Sequence, residues 1–287
     1  MVKKVKIILE MIKFEHTIFA LPFAFLGTIL GSIVVNGTWP TLHQWIWITL
    51  AMVGARSAAM ALNRVIDAKI DKDNPRTANR AIPAGLISKT EVVLFIIVSF
   101  ILLFYSAYQL NMLAVYLLPI AVFFLVFYSY TKRFTWACHI VLGITLGLAP
   151  LGGWVGATGT LSFLPFLIFI AVATWTAGFD IIYATQDADY DRSKGLYSIP
   201  SRFGIKNALI IAKVFHLISF FALLAIYFLS PFGWIYLIGV LICGGIMVYE
   251  HSLVSPQDLS KVNVAFFTMN GIIASTILLF SIGDLLI

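Results

Sequence analysis

Residues Asn63 to Arg80 read NRVIDAKIDKDNPRTANR and stand where a long apolar run of the chain ends. Asn63, Asp67 and Asp71 are spaced four residues apart, so on a helix their oxygen-bearing side chains share one face. Two carboxylates at the end of a membrane helix are unfavourable unless a cation lies between them. The spacing therefore predicts a divalent metal site at a helix end, and Pro75 predicts that the helix stops soon after Asp71.

The composition around this stretch is that of an integral membrane protein. Of 287 residues, 61% are hydrophobic and only 11% are charged, against about 25% charged residues in soluble domains. The apolar runs are continuous and of helix length, which predicts an all-α bundle of about nine spans around a central cavity. A single domain, 1–287, is expected, with an amphipathic surface helix at 1–16 and the transmembrane bundle at 17–285. The predicted spans are 17–37, 42–66, 91–108, 112–131, 135–155, 161–186, 206–229, 231–250 and 263–285.

The positions of the charged residues along the chain say more about the protein than its net charge does. A formal net charge of +6 in a soluble protein would suggest a nucleic-acid partner, but here the 19 Lys and Arg lie in or beside the connections of one side, or inside a span. This asymmetry predicts a multi-pass protein of the cell inner membrane, with its amino terminus and polar mouth in the cytoplasm, a lipid bilayer as its surroundings and no nucleic acid.

Arg56 lies within the second predicted span, seven residues before Asn63. Seven residues are two helical turns, so Arg56 is expected on the same face as the polar stripe and deeper in the bilayer. The alternative is an arginine whose side chain extends to the interface. The depth favours an internal anion partner, such as a substrate carboxylate held in a bidentate pair.

A second carboxylate stripe follows 120 residues later, at the end of the sixth predicted span. Asp180, Asp187 and Asp191 are seven and four residues apart, with Tyr183 beside them and Asp189 turned away. The repetition predicts two similar halves whose acidic stripes face each other across the cavity. Basic residues accompany both stripes and are candidates for binding a phosphate group, with plain membrane topology as the alternative for the first two. They are Arg76, Arg80, Lys132, Arg133 and Lys194.

Two acidic stripes and a basic rim predict a particular ligand. Mg²⁺ prefers oxygen ligands and is commonly bound by a few carboxylates together with substrate phosphates. A diphosphate at the mouth of an apolar bundle implies a hydrocarbon ester, that is, an isoprenyl diphosphate. Metal and basic groups would stabilise the departing diphosphate, and the apolar cavity would keep water from the allylic cation.

The remaining polar residues of the apolar runs are expected to be packing or boundary residues. Cys138 and Cys243 have no metal-type spacing and are read as small buried residues. The last three spans contain isolated polar side chains for which no chemistry is predicted. These are Lys213, His216, Glu250, His251 and Asn270.

Taken jointly, the motifs resemble those of the UbiA superfamily of intramembrane aromatic prenyltransferases. The N-x-x-x-D-x-x-x-D, D-x-x-Y-x-x-Q-D and D-x-x-x-D elements are present, together with Y-x-x-x-K-R, the R-T-A-N-R-x-x-P-x-G loop and an arginine seven residues before the first Asn. The matching positions are Arg56, Asn63, Asp67, Asp71, the loop from Arg76, Tyr128, Lys132, Arg133, Asp180, Tyr183, Asp187 and Asp191.

The resemblance implies roles for these residues. It implies nine helices, Mg²⁺ dependence and quinone biosynthesis, with Asn63 and the four carboxylates Asp67, Asp71, Asp187 and Asp191 as metal ligands and catalytic groups. The five basic residues of the rim would bind diphosphate. The acceptor, an aromatic acid, would be bound by Arg56, Asp180 and Tyr183, and Asp187 or Asp191 would act on the phenol or the ring proton.

Three alternatives remain open at this point. The amino-terminal IKFEHTIFALPFA and the RTANR loop are most similar to 4-hydroxybenzoate polyprenyltransferases of ubiquinone synthesis, but a 1,4-dihydroxy-6-naphthoate or 1,4-dihydroxy-2-naphthoate acceptor of menaquinone synthesis also fits. A secondary transporter of anions is the alternative from another class, since paired helical halves with polar residues also describe transporters. Neither the prenyl length nor the oligomeric state is predicted.

Overall fold

The computed structural model describes residues 2–13 and 21–287, and that part of the chain consists of helices and short connections without a β-strand. The all-helical membrane architecture predicted from the sequence is thereby confirmed. The helices are α1 (Val2–Met11), α2 (Leu21–Gly31), α3 (Leu42–Asp73), α4 (Lys89–Leu110), α5 (Met112–Thr131), α6 (Cys138–Thr158), α7 (Leu164–Ala184), α8 (Ala188–Ser193), α9 (Ile199–Leu229), α10 (Trp234–Ser252) and α11 (Asn270–Leu285).

Local sequence explains where the long helices begin. Thr41 precedes α3 and its side chain accepts a hydrogen bond from the backbone N–H of Gln44, whose own side chain bonds back to Thr41. Ser88 forms the same reciprocal capping box before α4, and Ser198 forms it before α9. Each box satisfies backbone N–H groups that have no partner within the helix, which fixes the start of the helix.

Within residues 2–13 and 21–287, eight helices are long and apolar enough to cross a membrane. The first of the nine predicted spans, 17–37, corresponds to a shorter apolar helix at Leu21–Asn36, and its residues 17–20 lie outside the described part of the chain. Residues 14–16 of the predicted surface helix lie outside it as well. The count of nine is thus not reproduced among the described residues. The protein is nevertheless a multi-pass membrane protein.

The second predicted span is longer than expected, since α3 runs through the acidic stripe to Asp73 and ends at Asn74 just before Pro75. The second acidic stripe, by contrast, does not lie on one continuous helix. Helix α7 ends at Ala184, a single 3₁₀ turn covers Thr185–Asp187, and α8 follows. The tighter turn changes the direction of Asp187 and Asp191 relative to Asp180. The prediction that these three residues share one face of a continuous helix is therefore wrong.

Close helix packing around α6 is made by small residues. A Cβ atom on Gly27 of α2 would overlap the carbonyl oxygen of Pro150, and one on Gly153 would overlap that of Ala24. Helices α2 and α6 therefore approach as closely as backbone contact allows, as is common between membrane helices. On its other side α6 packs against α7, which in turn packs against α9. This arrangement holds α3 and α7 so that both carry their acidic ends to the same end of the bundle.

Candidate active site

The first acidic stripe is organised by α3. Asn63 donates a hydrogen bond from Nδ2 to Oδ2 of Asp67 at 2.8 Å, so the two predicted metal ligands already contact each other. Asp71 lies one turn further on and is 5% exposed. Its backbone carbonyl accepts a bond from the Thr77 hydroxyl at 3.0 Å, which ties the following loop to the end of α3. The stripe predicted from spacing is thus present on a helix.

Each of the four carboxylates forms an ion pair with a basic residue from the predicted diphosphate-binding set. The pairing brings the two acidic stripes together, because the loop after α3 reaches the second stripe and the residues that follow α5 reach both. The pairs are Asp67 with Arg133 at 2.8 Å, Asp71 with Arg80 at 2.7 Å, Asp187 with Arg76 at 2.5 Å and Asp191 with Lys132 at 2.7 Å. The four pairs are consequently neutral in themselves, with their anion-binding and cation-binding groups satisfying one another.

Two of the basic groups in the connections outside the membrane-spanning helices, Arg76 and Lys132, remain charged in this arrangement. Burial disfavours the charge of Arg76, but its hydrogen bonds to Asp187 outweigh burial and raise the pKa of the guanidinium above its ordinary value. Burial likewise opposes the charge of Lys132, and Asp191 raises the pKa of the amine in spite of it. Both side chains are therefore cationic at neutral pH and available to an anionic ligand.

A cavity of about 1280 Å³ connects this polar end with the apolar interior of the bundle. Its polar end is lined by three of the four acidic residues, by Asn63 and by basic side chains, whereas the rest is lined mainly by aliphatic residues of α3, α4, α5 and α6. Residues as far along the bundle as Ile48, Leu110 and Leu161 contribute to it. The cavity therefore offers one charged end and a long apolar remainder in a single continuous space.

The predicted acceptor-binding residues also face this cavity. Arg56 lines it from α3, and Asp180 and Tyr183 line it from α7. The Tyr183 hydroxyl accepts a hydrogen bond from Nη1 of Arg76 at 3.0 Å, which links the acceptor residues to the ion-pair set. The structure thus brings the three residues to the same space as the acidic stripes.

Two predicted residues are placed differently from the others. Lys194 lies on the exposed connection after α8 and is not part of the cavity lining. Asp191 is fully buried and lies outside the lining, behind Lys132, which does line it. The cavity surface itself therefore presents Asp67, Asp71 and Asp187.

Several residues that sequence reasoning missed contribute to the site. Asn74 donates to Oδ1 of Asp187 at 3.3 Å, and the Tyr190 hydroxyl donates to the carbonyl of Ile70 at 3.0 Å. Arg64 lines the cavity from α3 and donates from Nε to the carbonyl of Met11. Most of these contacts join residues more than 50 positions apart, so helical spacing carries no signal for them.

His139 was also missed, and it makes the strongest contact of this kind. Its Nδ1 lies 2.7 Å from Oδ2 of Asp180. His139 stands at the start of α6 and is 3% exposed. The only sequence signal was a histidine beside the Lys132–Arg133 element, which is weak by itself.

The polar residues of the last helices are not isolated, which corrects the expectation for them. His216 of α9 lies with its Nδ1 at 4.0 Å from Oε2 of Glu250, and Asn270 donates to Oε1 of the same carboxyl group at 3.4 Å. The His251 ring centroid is 4.9 Å from that of His216. A Cβ atom on Gly178 would overlap the His216 ring, so this glycine makes the room for it. Long-range helix packing, invisible to periodicity, assembles this cluster.

The donor set at the polar end fits Mg²⁺ in its chemistry, because carboxylate and amide oxygens are the ligands that this ion prefers. Across residues 2–13 and 21–287, however, no three Asp, Glu, His or Cys side chains lie together in an arrangement that could hold a metal ion. A bound ion would therefore need oxygen atoms from a substrate to complete its coordination, as is common for Mg²⁺ bound with phosphates.

The fold and the site together define a class, that of polytopic α-helical membrane proteins with a paired acid–base centre at the mouth of an apolar cavity. Residues 21–272 match the UbiA prenyltransferase family, so this chain belongs to that family and is a membrane-embedded prenyltransferase.

Similar proteins agree with this membership. The 4-hydroxybenzoate octaprenyltransferase of Aliivibrio fischeri (strain MJ11) is 29% identical over 255 residues, covering 84% of this chain and 88% of the relative. The protein of the same name from Vibrio atlanticus (strain LGP32) is 28% identical over 243 residues, covering 85% of both.

Solved structures show the same architecture. The apo structure of a UbiA homolog from Aeropyrum pernix K1 has a TM-score of 0.85 at 33% identity, covering 94% of this chain and 98% of that one. A UbiA homolog from Archaeoglobus fulgidus bound to GPP and Mg²⁺ has a TM-score of 0.74 at 18% identity, covering 98% and 100%, and shares the fold.

Proposed function

We propose that this protein transfers a polyprenyl group from an isoprenyl diphosphate to an aromatic acid of the 4-hydroxybenzoate type, in a Mg²⁺-dependent step of quinone biosynthesis. The observation that carries the proposal is the cavity with four acid–base pairs at one end and an apolar remainder. The bacterial relatives are named 4-hydroxybenzoate octaprenyltransferases, which supports 4-hydroxybenzoate as the acceptor and a long prenyl chain as the group transferred.

The ion pairs suggest how the ligand is received. A diphosphate would take the place of the carboxylates as partner of Arg76, Arg80 and Arg133 and would also contact Lys132, and the three released carboxylates would turn to the metal. When bound, Mg²⁺ would neutralise the diphosphate and stabilise it as a leaving group. This exchange keeps every charge compensated, so a charged head group can enter the end of a membrane bundle without leaving an unpaired buried charge.

The residues of the chain have separate roles in this scheme. Asn63, Asp67, Asp71 and Asp187 would hold the metal from the cavity surface, with Asp191 behind Lys132 orienting that amine. The four basic residues hold the diphosphate while the bond from its oxygen to the prenyl carbon breaks, with the electron pair leaving on the diphosphate. The aliphatic walls keep water from the allylic cation until the aromatic carbon attacks it, and the ring proton that the new carbon–carbon bond displaces passes to the Asp187 carboxylate. Lys194 is retained as a candidate contact at the outer rim.

Arg56, Asp180 and Tyr183 are proposed to place the acceptor. A guanidinium below the metal site suits a carboxylate, since the two can form a bidentate pair. The aromatic acids of the dihydroxynaphthoate type carry the same carboxylate and remain the alternative acceptors. By its charge distribution the polar mouth is assigned to the cytoplasmic face of the inner membrane.

A substrate screen tests the proposal. Purified protein in nanodiscs would receive Mg²⁺, prenyl diphosphates of several lengths and, in separate reactions, 4-hydroxybenzoate and the two dihydroxynaphthoates. Mass spectrometry should show a product equal to the acid plus the prenyl group, and diphosphate in equal amount. Absence of every such product, with folded protein and Mg²⁺ present, would overturn it.

A further inference from the structure

His139 joins three helices next to the cavity. It stands at the start of α6 and its Nδ1 reaches Oδ2 of Asp180 on α7 at 2.7 Å. On its other side, Nε2 lies 3.3 Å from the backbone nitrogen of Ile199, the first residue of α9. An imidazole held at both nitrogens has little freedom to rotate, so the contact to Asp180 is a fixed element of the site.

The contact to Ile199 determines which nitrogen carries the proton. The N–H of a first helical residue has no intrahelical acceptor, and here it donates to Nε2 of His139. Nε2 is therefore an acceptor without a proton, which leaves the imidazole neutral with its proton on Nδ1. It follows that His139 donates its Nδ1–H to the Asp180 carboxylate.

Asp180 is held by one oxygen only. Oδ2 receives the His139 proton, whereas no hydrogen bond within the described residues occupies Oδ1. The carboxyl side chain is 22% exposed, in contrast to 4% for the histidine, and it lines the cavity. One turn further along α7, Tyr183 lines the same space. The carboxylate thus has one fixed oxygen and a second that is available to a ligand with a hydroxyl donor.

We propose that His139 is a positioning residue that holds Asp180 so that Oδ1 accepts a hydrogen bond from the phenolic hydroxyl of the aromatic acceptor. This inference rests on the proposed prenyl transfer. A hydrogen bond from the hydroxyl to a carboxylate increases the electron density of the aromatic ring, which favours attack of the ring carbon on the prenyl cation. His139 does not itself contact the acceptor.

The arrangement also accounts for the choice of residue. A side chain at position 139 must donate to Asp180 and, at the same time, accept from the N–H of Ile199. Neutral histidine does both through a rigid ring, and glutamine can do both through its amide group. Leucine can do neither, and it would leave the Ile199 N–H without its acceptor.

The test compares binding of 4-hydroxybenzoate with binding of benzoate, which differs only by the hydroxyl group. Calorimetry would be performed on wild-type protein and on His139→Leu, His139→Gln and Asp180→Asn, each loaded with Mg²⁺ and a non-hydrolysable prenyl diphosphate analogue. Wild type should prefer 4-hydroxybenzoate by about tenfold, the effect of one hydrogen bond to a charged group. His139→Leu and Asp180→Asn should lose that preference, and His139→Gln should retain most of it.

Kinetics supply a second readout. His139→Leu should lower kcat with 4-hydroxybenzoate about tenfold while the KM for prenyl diphosphate stays unchanged. When it is combined with Asp180→Asn in a double variant, kcat should fall less than about twofold below that of Asp180→Asn alone. Additive losses in the double variant, or a hydroxyl preference that survives in Asp180→Asn, would overturn the inference. If His139→Leu does not fold, the inference is still tested by Asp180→Asn, because a hydroxyl preference that survives the loss of this carboxylate overturns it. If wild type binds neither acid and forms no product, it is the proposed function that fails instead.

Discussion

At the scale of single residues, the site depends on matched opposite charges. Asp187 is 9% exposed and accepts two bonds from Arg76, at 2.9 Å and 2.5 Å, and a third from Asn74. The side chain of Asp189, two positions on, is 94% exposed and forms an ion pair with Arg192 at the surface. The two carboxylates are close in sequence but differ completely in surroundings, so they form a natural pair for comparison.

Asp187→Asn should lower kcat/KM for prenyl transfer by about 100-fold, because it removes a proposed metal ligand and leaves Arg76 without its anionic partner. Asp189→Asn should leave the rate within about twofold, as expected for an exposed charge pair. Steady-state assays at saturating Mg²⁺ would measure both. Equal effects of the two substitutions would contradict the assignment.

Arg56→Gln should raise the KM for the aromatic acid by about tenfold or more, since it removes the proposed partner of the acceptor carboxylate. The KM for prenyl diphosphate should stay constant, because Arg56 lies two helical turns from Asn63, away from the ion pairs. Arg192→Gln, an exposed arginine outside the cavity, serves as the control. A matching rise in both KM values would instead indicate a general disturbance of α3.

At the scale of helices, the positions of the acidic stripes follow from contacts that small residues permit. Gly153 faces α2 and has no room for a Cβ atom, whereas the adjacent Gly152 lines the cavity with nothing within 4 Å of its Cβ position. A substitution of Gly153 therefore changes helix packing, whereas a substitution of Gly152 changes only the shape of the cavity.

Gly153→Ala should destabilise the protein by about 1–3 kcal/mol through overpacking against Ala24, with a lower Tm in detergent. Gly152→Ala should leave the Tm nearly unchanged because its Cβ enters open space. Thermal unfolding followed by circular dichroism would compare the two variants. The packing argument fails if Gly152→Ala is the more destabilising of the pair.

The cluster at the end of α10 contains two buried atoms that face each other without a donor between them. His216 donates from Nε2 to the Trp175 carbonyl, so its buried Nδ1 is an acceptor that faces Oε2 of Glu250, whereas Asn270 donates from Nδ2 to Oε1 of Glu250 and to backbone carbonyl groups. Neither Nδ1 nor Oε2 has a hydrogen-bond partner within the described chain. A buried carboxylate in this position is unfavourable as an anion.

Glu250→Gln should therefore be tolerated, with a stability within about 1 kcal/mol of wild type, because the amide supplies the same donor to His216 that a neutral carboxyl group supplies. The measurement is the Tm of the variant relative to wild type at neutral pH. Strong destabilisation would contradict this account and would indicate that a cation compensates Glu250.

Much of this architecture was predictable from sequence. The α3 stripe depends on neighbours four residues apart, which helical geometry brings together whatever the rest of the chain does. The pairing of Asp187 with Arg76, the His139 contact to Asp180 and the His216 cluster depend on how separate helices pack, and no local pattern specifies that. The break between α7 and α8 could not be predicted, because the sequence DIIYATQDADYD contains no Gly or Pro, the residues that usually interrupt a helix.

At the scale of the whole molecule, the bundle combines two environments in one cavity. Four ion pairs lie at its polar end, and the aliphatic walls of α3 to α6 extend the space along the bundle. The acidic residues Asp67, Asp71 and Asp187 and the basic residues Arg76, Arg80 and Lys132 line the polar end of this cavity. In the proposed function, carboxylates of both acidic stripes act together on one diphosphate.

The most direct test of that claim is the rate of diphosphate release from a prenyl diphosphate in the presence of 4-hydroxybenzoate, with Mg²⁺ and with EDTA, for wild type and for Asp67→Ala with Asp187→Ala. Wild type should release diphosphate only with Mg²⁺, and the double variant should lose at least about 1000-fold of that rate. Release by the folded double variant at a rate near that of wild type would contradict the account.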